Sequence, residues 1–209
     1  LRETVRALVP TLGARHVVLC HATVSPRTVR SIAEQVAATG AAFLDAPFTG
    51  SRDAAATGRL AYYVSGCRAA LERARPVLDV SACAIVPFGD IGEASAIKIA
   101  TNVVSAAAAT SLAEAVNLLR AQGVDPRLLA AALEHNAARS GVTDLKLPCI
   151  LDGDFSPRFS ARNMLKDMRL ARDLAEPGRS SHITCIESLL DSACGRGLAA
   201  REFSVVAAE

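Results

Sequence analysis

The chain has 209 residues, 51% apolar, 21% charged and 4% aromatic, with a net charge of +2. That length holds one large domain or two small ones, and the composition is globular rather than disordered or fibrous. A charge so near balance gives no argument for a nucleic acid or an anionic membrane as partner, and neither is expected.

The six cysteines, Cys20, Cys67, Cys83, Cys149, Cys185 and Cys194, form no C-x-x-C pair and no Cys/His grouping with zinc spacing. No metal site is expected, and buried, reduced thiols in a reducing compartment are. Neither a signal peptide nor an apolar run of the ~18 residues that cross a bilayer is seen, so no membrane partner is expected.

The chain opens in mid-helix with "LRETVRALVP", which reads as part of a longer protein or as a truncated product. "ETVRALVPTL" is amphipathic and ends near Gly13. "HVVLC" reads as a short buried strand. "SPRTVRSIAEQVAATG" reads as a helix capped by Ser25, with Pro26 in the first position and Gly40 closing it. "AAFLDAP", "LAYYVSG" and "CAIVPFG" follow as strands, with a helix over "CRAALERARPVLD" between the last two. Such alternation predicts an α/β sheet with some parallel pairing.

The character changes at Gly92. Residues 93–122 contain no proline or glycine, and a helix of that length spans roughly 45 Å. "DPRLLAAALEHNAARSG" reads as a helix capped by Asp125, "SARNMLKDMRLARDLAE" as one capped by Ser160, and "HITCIESLLDSACGRG" as a fourth. The fold class expected is α/β followed by all-α, divided as residues 1–91 and 92–209.

Three segments carry chemistry. In "GEASAIKIATN", Lys98 lies in a small apolar run and Asn102 lies four residues on, on the same helix face. A lysine among apolar neighbours has its pKa lowered and suits proton exchange with a substrate oxygen; a stem lying on apolar surface with its head in water is the alternative. In "DAPFTGSRDAAATG", the turn Thr49-Gly50-Ser51 offers amides and two hydroxyls to a carboxylate or phosphate, with Gly50 allowing close approach. Taken alone, it reads first as an ordinary polar loop. In "NMLKDMRLARD", Lys166 and Asp167 sit mid-helix among arginines, the pattern of a solvated, ion-paired face. The histidines are weak signals, and no H-E-x-x-H or G-x-S-x-G string appears.

Taken in order, strand–"TVSP"–helix, strand–"DAPFTGS", "GRLAYYVSG", "GEASAIKIATN" and "KDM" resemble the β-hydroxyacid dehydrogenase family. That family includes 3-hydroxyisobutyrate dehydrogenase and, more distantly, 6-phosphogluconate dehydrogenase. The resemblance runs to the closing "GRGLAAREFSVVAAE". It implies the C-terminal part of a Rossmann-type dinucleotide-binding domain followed by a helical domain with one long helix. It implies NAD or NADP as cofactor, a small carboxylate substrate, and a homodimer or higher oligomer formed through the helical domain. Lys98 falls on the family's catalytic lysine and Asn102 on its substrate-binding asparagine. Thr49, Gly50 and Ser51 fall on the turn that receives the substrate carboxylate. Thr23 and Lys166 fall on positions near the cofactor.

The chain departs from the family pattern at Ala22 and Thr49, where serine is usual, and at Ser51, where glycine is. Arg52 could add a contact to an acidic substrate or be solvated. The fingerprint G-x-G-x-x-G does not occur, so a fragment lacking the first half of the Rossmann domain is expected, inactive by itself. The reaction implied is NAD(P)-dependent interconversion of a small β-hydroxyacid and its semialdehyde or keto form, in a cytoplasmic or mitochondrial protein. The alternatives are a non-catalytic dimerising or binding module and an imine reductase-like enzyme, against which Lys98 speaks.

Overall fold

The computed structural model describes residues 1–208. The chain forms two compact units, Leu1–Ala100 and Thr101–Glu209.

In the first unit, helix α1 (Arg2–Leu8) runs into a 3-10 turn, Val9–Thr11. Strand β1 (Val17–Cys20) is followed by α2 (Pro26–Ala37). Ser25 Oγ accepts the Thr28 amide at 3.2 Å, and Pro26 fills the first helical position, where no amide is needed. Pro26, Val29, Ile32 and Val36 form the buried stripe, at the spacing of one helix face. Gly40, at φ +81°, turns the chain into β2 (Ala42–Asp45), which pairs in parallel with β1 from Val17↔Ala42 to Cys20↔Asp45.

After Pro47 the chain resumes as β3 (Phe48–Thr49), a two-residue strand that the sequence reading treated as loop. It pairs antiparallel with β4 (Leu60–Val64), and an Asp45↔Ser65 bridge continues the same register. Between them lies α3 (Arg52–Ala56), also not anticipated. Helix α4 (Arg68–Leu78) leads to β5 (Ala82–Pro87), parallel to β4. Successive β2 residues serve opposite faces: Phe43 packs with the α2 residues Val29, Ile32 and Val36, and Leu44 packs with the α4 residues Ala70, Leu71 and Leu78. Strand alternation thus places helices on both faces of the sheet.

The second unit is helical. Helix α5 (Glu93–Ala121) begins in the first unit and continues into this one. It is followed by α6 (Leu128–Glu134), α7 (Gly141–Asp152), α8 (Ala161–Leu174) and α9 (Ser181–Ala193), then a π-helical turn and a 3-10 segment over Phe203–Ala208. Ala106, Ala109, Leu112, Ala113 and Val116 of α5 pack with Leu147, Met164, Met168, Ile186, Leu190 and Phe203. By length and composition α5 is long and apolar enough to cross a membrane, contrary to the expectation from the sequence. The row from Ala106 to Val116 instead lies in the core, as in the central helix of a globular bundle.

Two further expectations need correction. The helix after Asp125 is short: Asp125 Oδ1 accepts the Arg127 amide at 2.9 Å, and α6 starts only at Leu128. A separate helix, α7, then begins at a reciprocal cap between Ser140 and Thr143 and accommodates Pro148 within it. Nor are the thiols uniformly buried: all six are free, but Cys67, Cys83 and Cys185 are exposed. The closing segment is pinned by the fully buried Glu202. Its Oε1 accepts Lys146 Nζ at 2.6 Å, and its Oε2 accepts the amides of Arg158 and Phe159 at 3.0 and 2.8 Å.

Candidate active site

In the first unit the start of α5 is held by two strand-end side chains. Asp45, fully buried, accepts the Ser95 amide at 2.9 Å through Oδ2 and the Ser95 hydroxyl at 2.8 Å through Oδ1. Ser65 Oγ accepts the Ala94 amide at 2.8 Å. First-turn amides of a helix have no internal partner, and an anion there also meets the positive end of the dipole. Burial nevertheless pushes the Asp45 carboxyl above its ordinary value, with the hydrogen bonds from Ser95 opposing that shift.

Lys98 is three residues beyond Ser95, so this clamp fixes its place along the helix axis. It is buried, at 8% exposure.

The Thr49-Gly50-Ser51 turn is partly committed to the fold. Thr49 is half-buried in β3, and its hydroxyl makes no hydrogen bond among the described residues. Ser51 Oγ accepts the Ala54 amide at 3.2 Å as the cap of α3, keeping its proton to donate. Gly50 has φ +138°, and a Cβ there would lie 2.7 Å from Leu60 Cδ2. At that φ a side chain is strained, which favours glycine whatever the turn binds, and the Leu60 methyl would also have to shift. Arg52 is exposed and lies 3.6 Å from Asp53. Thr23 is half-buried in the loop between β1 and α2.

In the second unit Asn102 is 6% exposed, and its Nδ2 donates to Asp167 Oδ2 at 2.6 Å. Lys166 Nζ lies 2.6 Å from Asp167 Oδ1. Asp167 is 1% exposed and Lys166 is half-exposed. The expected solvated face is thus half right: one neighbour faces water and the other is a buried carboxylate that joins Asn102 and Lys166.

Asp45, Ser65 and Asp167 are the residues that sequence reasoning missed. For Asp167 there was a signal. It falls three residues after Met164 and four before Ala171, on the buried stripe of α8.

Both sequence profiles that match this chain are of NAD-binding regions. "NAD binding domain of 6-phosphogluconate dehydrogenase" matches residues 1–89, and "NAD-binding of NADP-dependent 3-hydroxyisobutyrate dehydrogenase" matches residues 92–207. The cofactor class of the family is NAD(P). The carboxyl end of the parallel β1–β2 pair, where α/β sheets take ligands, offers the half-buried Thr23 and the exposed imidazole of His21. Both suit the hydroxyl and carboxamide groups of a nicotinamide nucleoside.

Among relatives, glyoxylate/succinic semialdehyde reductase 2, chloroplastic, of Arabidopsis thaliana is 32% identical over 177 residues, which is 84% of this chain and 49% of the relative. The mitochondrial 3-hydroxyisobutyrate dehydrogenase of Homo sapiens is 30% identical over 88% of this chain and 57% of its own length. The chain therefore spans about half to three fifths of the curated relatives it matches, and the family is not tied to one compartment. Among solved structures, 3-hydroxyisobutyrate dehydrogenase from Salmonella typhimurium superposes with a TM-score of 0.86 at 26% identity, over 99% of this chain and 75% of that one. The Mycobacterium tuberculosis 3-hydroxyisobutyrate dehydrogenase with L-serine gives 0.85 at 26% identity, with the same coverage. With every residue from 1 to 207 except 90 and 91 matched by one or other profile, this chain belongs to the β-hydroxyacid dehydrogenase family.

Proposed function

We propose that the full-length protein is an NAD(P)-dependent oxidoreductase that interconverts a small β-hydroxyacid and its semialdehyde or keto form. The observation that carries this reading is the burial of Lys98, one helical turn before an asparagine whose amide is locked by a buried carboxylate. Relatives named as 3-hydroxyisobutyrate dehydrogenases and a glyoxylate/succinic semialdehyde reductase support the reaction class. The nicotinamide, when bound, supplies the hydride chemistry. Lys98 exchanges a proton at the substrate's reacting oxygen and stabilises charge developing there. Asn102 holds the substrate, its amide oriented by Asp167. Thr49 and Ser51 donate hydroxyl protons to the substrate carboxylate, and with Gly50 they set its distance from the reacting carbon. Thr23 and Lys166 contact the cofactor. A second copy of the chain completes a homodimer through the helical unit, along the outer face of α5.

In the full-length enzyme, Lys98→Ala is expected to lower kcat by at least ~100-fold, the low end for a positioned acid or base. Steady-state kinetics with NAD(P)+ and 3-hydroxyisobutyrate, or with NADPH and succinic semialdehyde, check it. A near-normal kcat removes the role from Lys98.

A further inference from the structure

We infer that His21 contacts the ligand of this site, its Nε2 accepting a hydrogen bond from a hydroxyl or carboxamide N–H. The inference rests on the functional reading above and adds a polar anchor to it.

His21 directly follows β1, at the carboxyl end of the parallel pair. Its Nδ1 lies 2.7 Å from the carbonyl oxygen of Ala46. A carbonyl oxygen has no proton to give, so Nδ1 must carry the hydrogen. The neutral ring then has its lone pair at Nε2, the tautomer being set by the partner of the other nitrogen.

The ring is also held in direction. The Ala46 amide donates to the Cys20 carbonyl at 2.9 Å, so the backbone on both sides of this contact is fixed. Phe48 and Tyr62 flank the imidazole, with centroids 6.1 and 5.4 Å away. Yet His21 is exposed, and Nε2 has no hydrogen-bond partner among the described residues.

Its sequence neighbours give the acceptor a purpose. Thr23 is two residues along the same loop, and Phe48, which packs on the ring, precedes Thr49. The other polar side chains proposed for the site in this unit are hydroxyls and the Lys98 ammonium, which suit the oxygens of an acid. A ligand hydroxyl or amide N–H needs an acceptor instead, and His21 Nε2 is one whose direction is already set. Such a donor can come from the nicotinamide nucleoside or from the hydroxyacid.

Long-range 1H–15N correlation spectra of the 15N-labelled 209-residue chain near pH 7.5 test this, with His21→Gln assigning the signal among four histidines. The free chain should show Nδ1–H and a bare Nε2. Nicotinamide mononucleotide in one titration and 3-hydroxyisobutyrate in another should distinguish the sources, because only the ligand that donates shifts Nε2. His21→Ala should weaken that ligand by about 2- to 10-fold, the worth of one neutral hydrogen bond. A proton found on Nε2 overturns the proposal. So do ligand shifts at the Thr23 and Ser51 amides with none at His21, which leave the functional reading standing. No shift anywhere in the chain with either ligand also overturns the proposal, and leaves the functional reading of the full-length protein to the Lys98→Ala kinetics.

Discussion

The Asp167 carboxyl group is 1% exposed and has two partners of unequal value. Lys166 is 48% exposed, so its attraction is screened by water. The Asn102 amide is buried and has committed a proton to Asp167 Oδ2. Asp167→Ala leaves that amide desolvated with no acceptor, and is expected to cost about 2–4 kcal/mol in urea unfolding. Lys166→Met should cost at most about 1 kcal/mol. Equal losses for the two substitutions would mean that the ion pair, not the amide, is what the carboxylate supports. At this scale the shared helix face of Lys98 and Asn102 was legible, because a fixed four-residue offset on a helix is independent of what packs around it. Asp167 was hidden, since a charged run suggests solvent and only the tertiary fold shows which of two adjacent charges turns inward. Gly50 was legible as a point of close approach, but the side chain that crowds it, Leu60, was not, because it belongs to a strand ten residues on.

The elements show the same division between local and long-range causes. Ser25 and Ser160 cap α2 and α8 as their positions before helical patterns predict, because a cap is satisfied within three residues. Helix α7 was missed because Pro148 is a breaker by local rules, and what sustains the helix is burial of Thr143, Leu147, Cys149 and Ile150. The start of α5 depends on partners farther away still, at Asp45 and Ser65. The pH dependence of that clamp follows from the direction of the Asp45 shift. Burial raises the folded carboxyl above its ordinary value of 3.8. The native state therefore holds this proton more tightly, and Asp45 contributes most stability below the unfolded value. That contribution is lost as pH rises through the folded value. Urea unfolding of the parent chain and of Asp45→Asn at several pH values isolates it, because the other carboxylates cancel in the difference. The stability of the parent relative to the variant should fall as pH rises from just below 3.8. A rise would mean that the hydrogen bonds from Ser95 outweigh desolvation.

For the whole molecule the question is what the outer face of α5 is for. Its inner residues from Ala106 to Val116 are in the core, but Val104 and Leu118 remain 68% and 62% exposed. Between them on the same face lie Ala108, Ser111 and Ala115, so the row advances by four, three, four and three residues. That is the spacing of a seam between two helices, and its small central residues allow close approach. The row is also nearly symmetric about Ser111. An antiparallel α5 from a second copy would set Val104 against Leu118 and Ala108 against Ala115, the self-complementary contact that a two-fold axis requires. Its ends are 14 residues, or roughly 21 Å, apart along the helix. The sequence showed the small residues of "SAAAATSLAEA" but not which of them face outward, since that depends on the bundle behind them. If the dimer forms along this row, the chain should sediment as a dimer at tens of micromolar. Leu118→Glu should be monomeric, because each glutamate would be buried without a partner charge. Glutamate is a good helix former and Leu118 is exposed in the monomer, so the far-UV circular dichroism should not change. A variant that stays dimeric places the contact elsewhere, and a parent chain that is monomeric removes the dimer altogether.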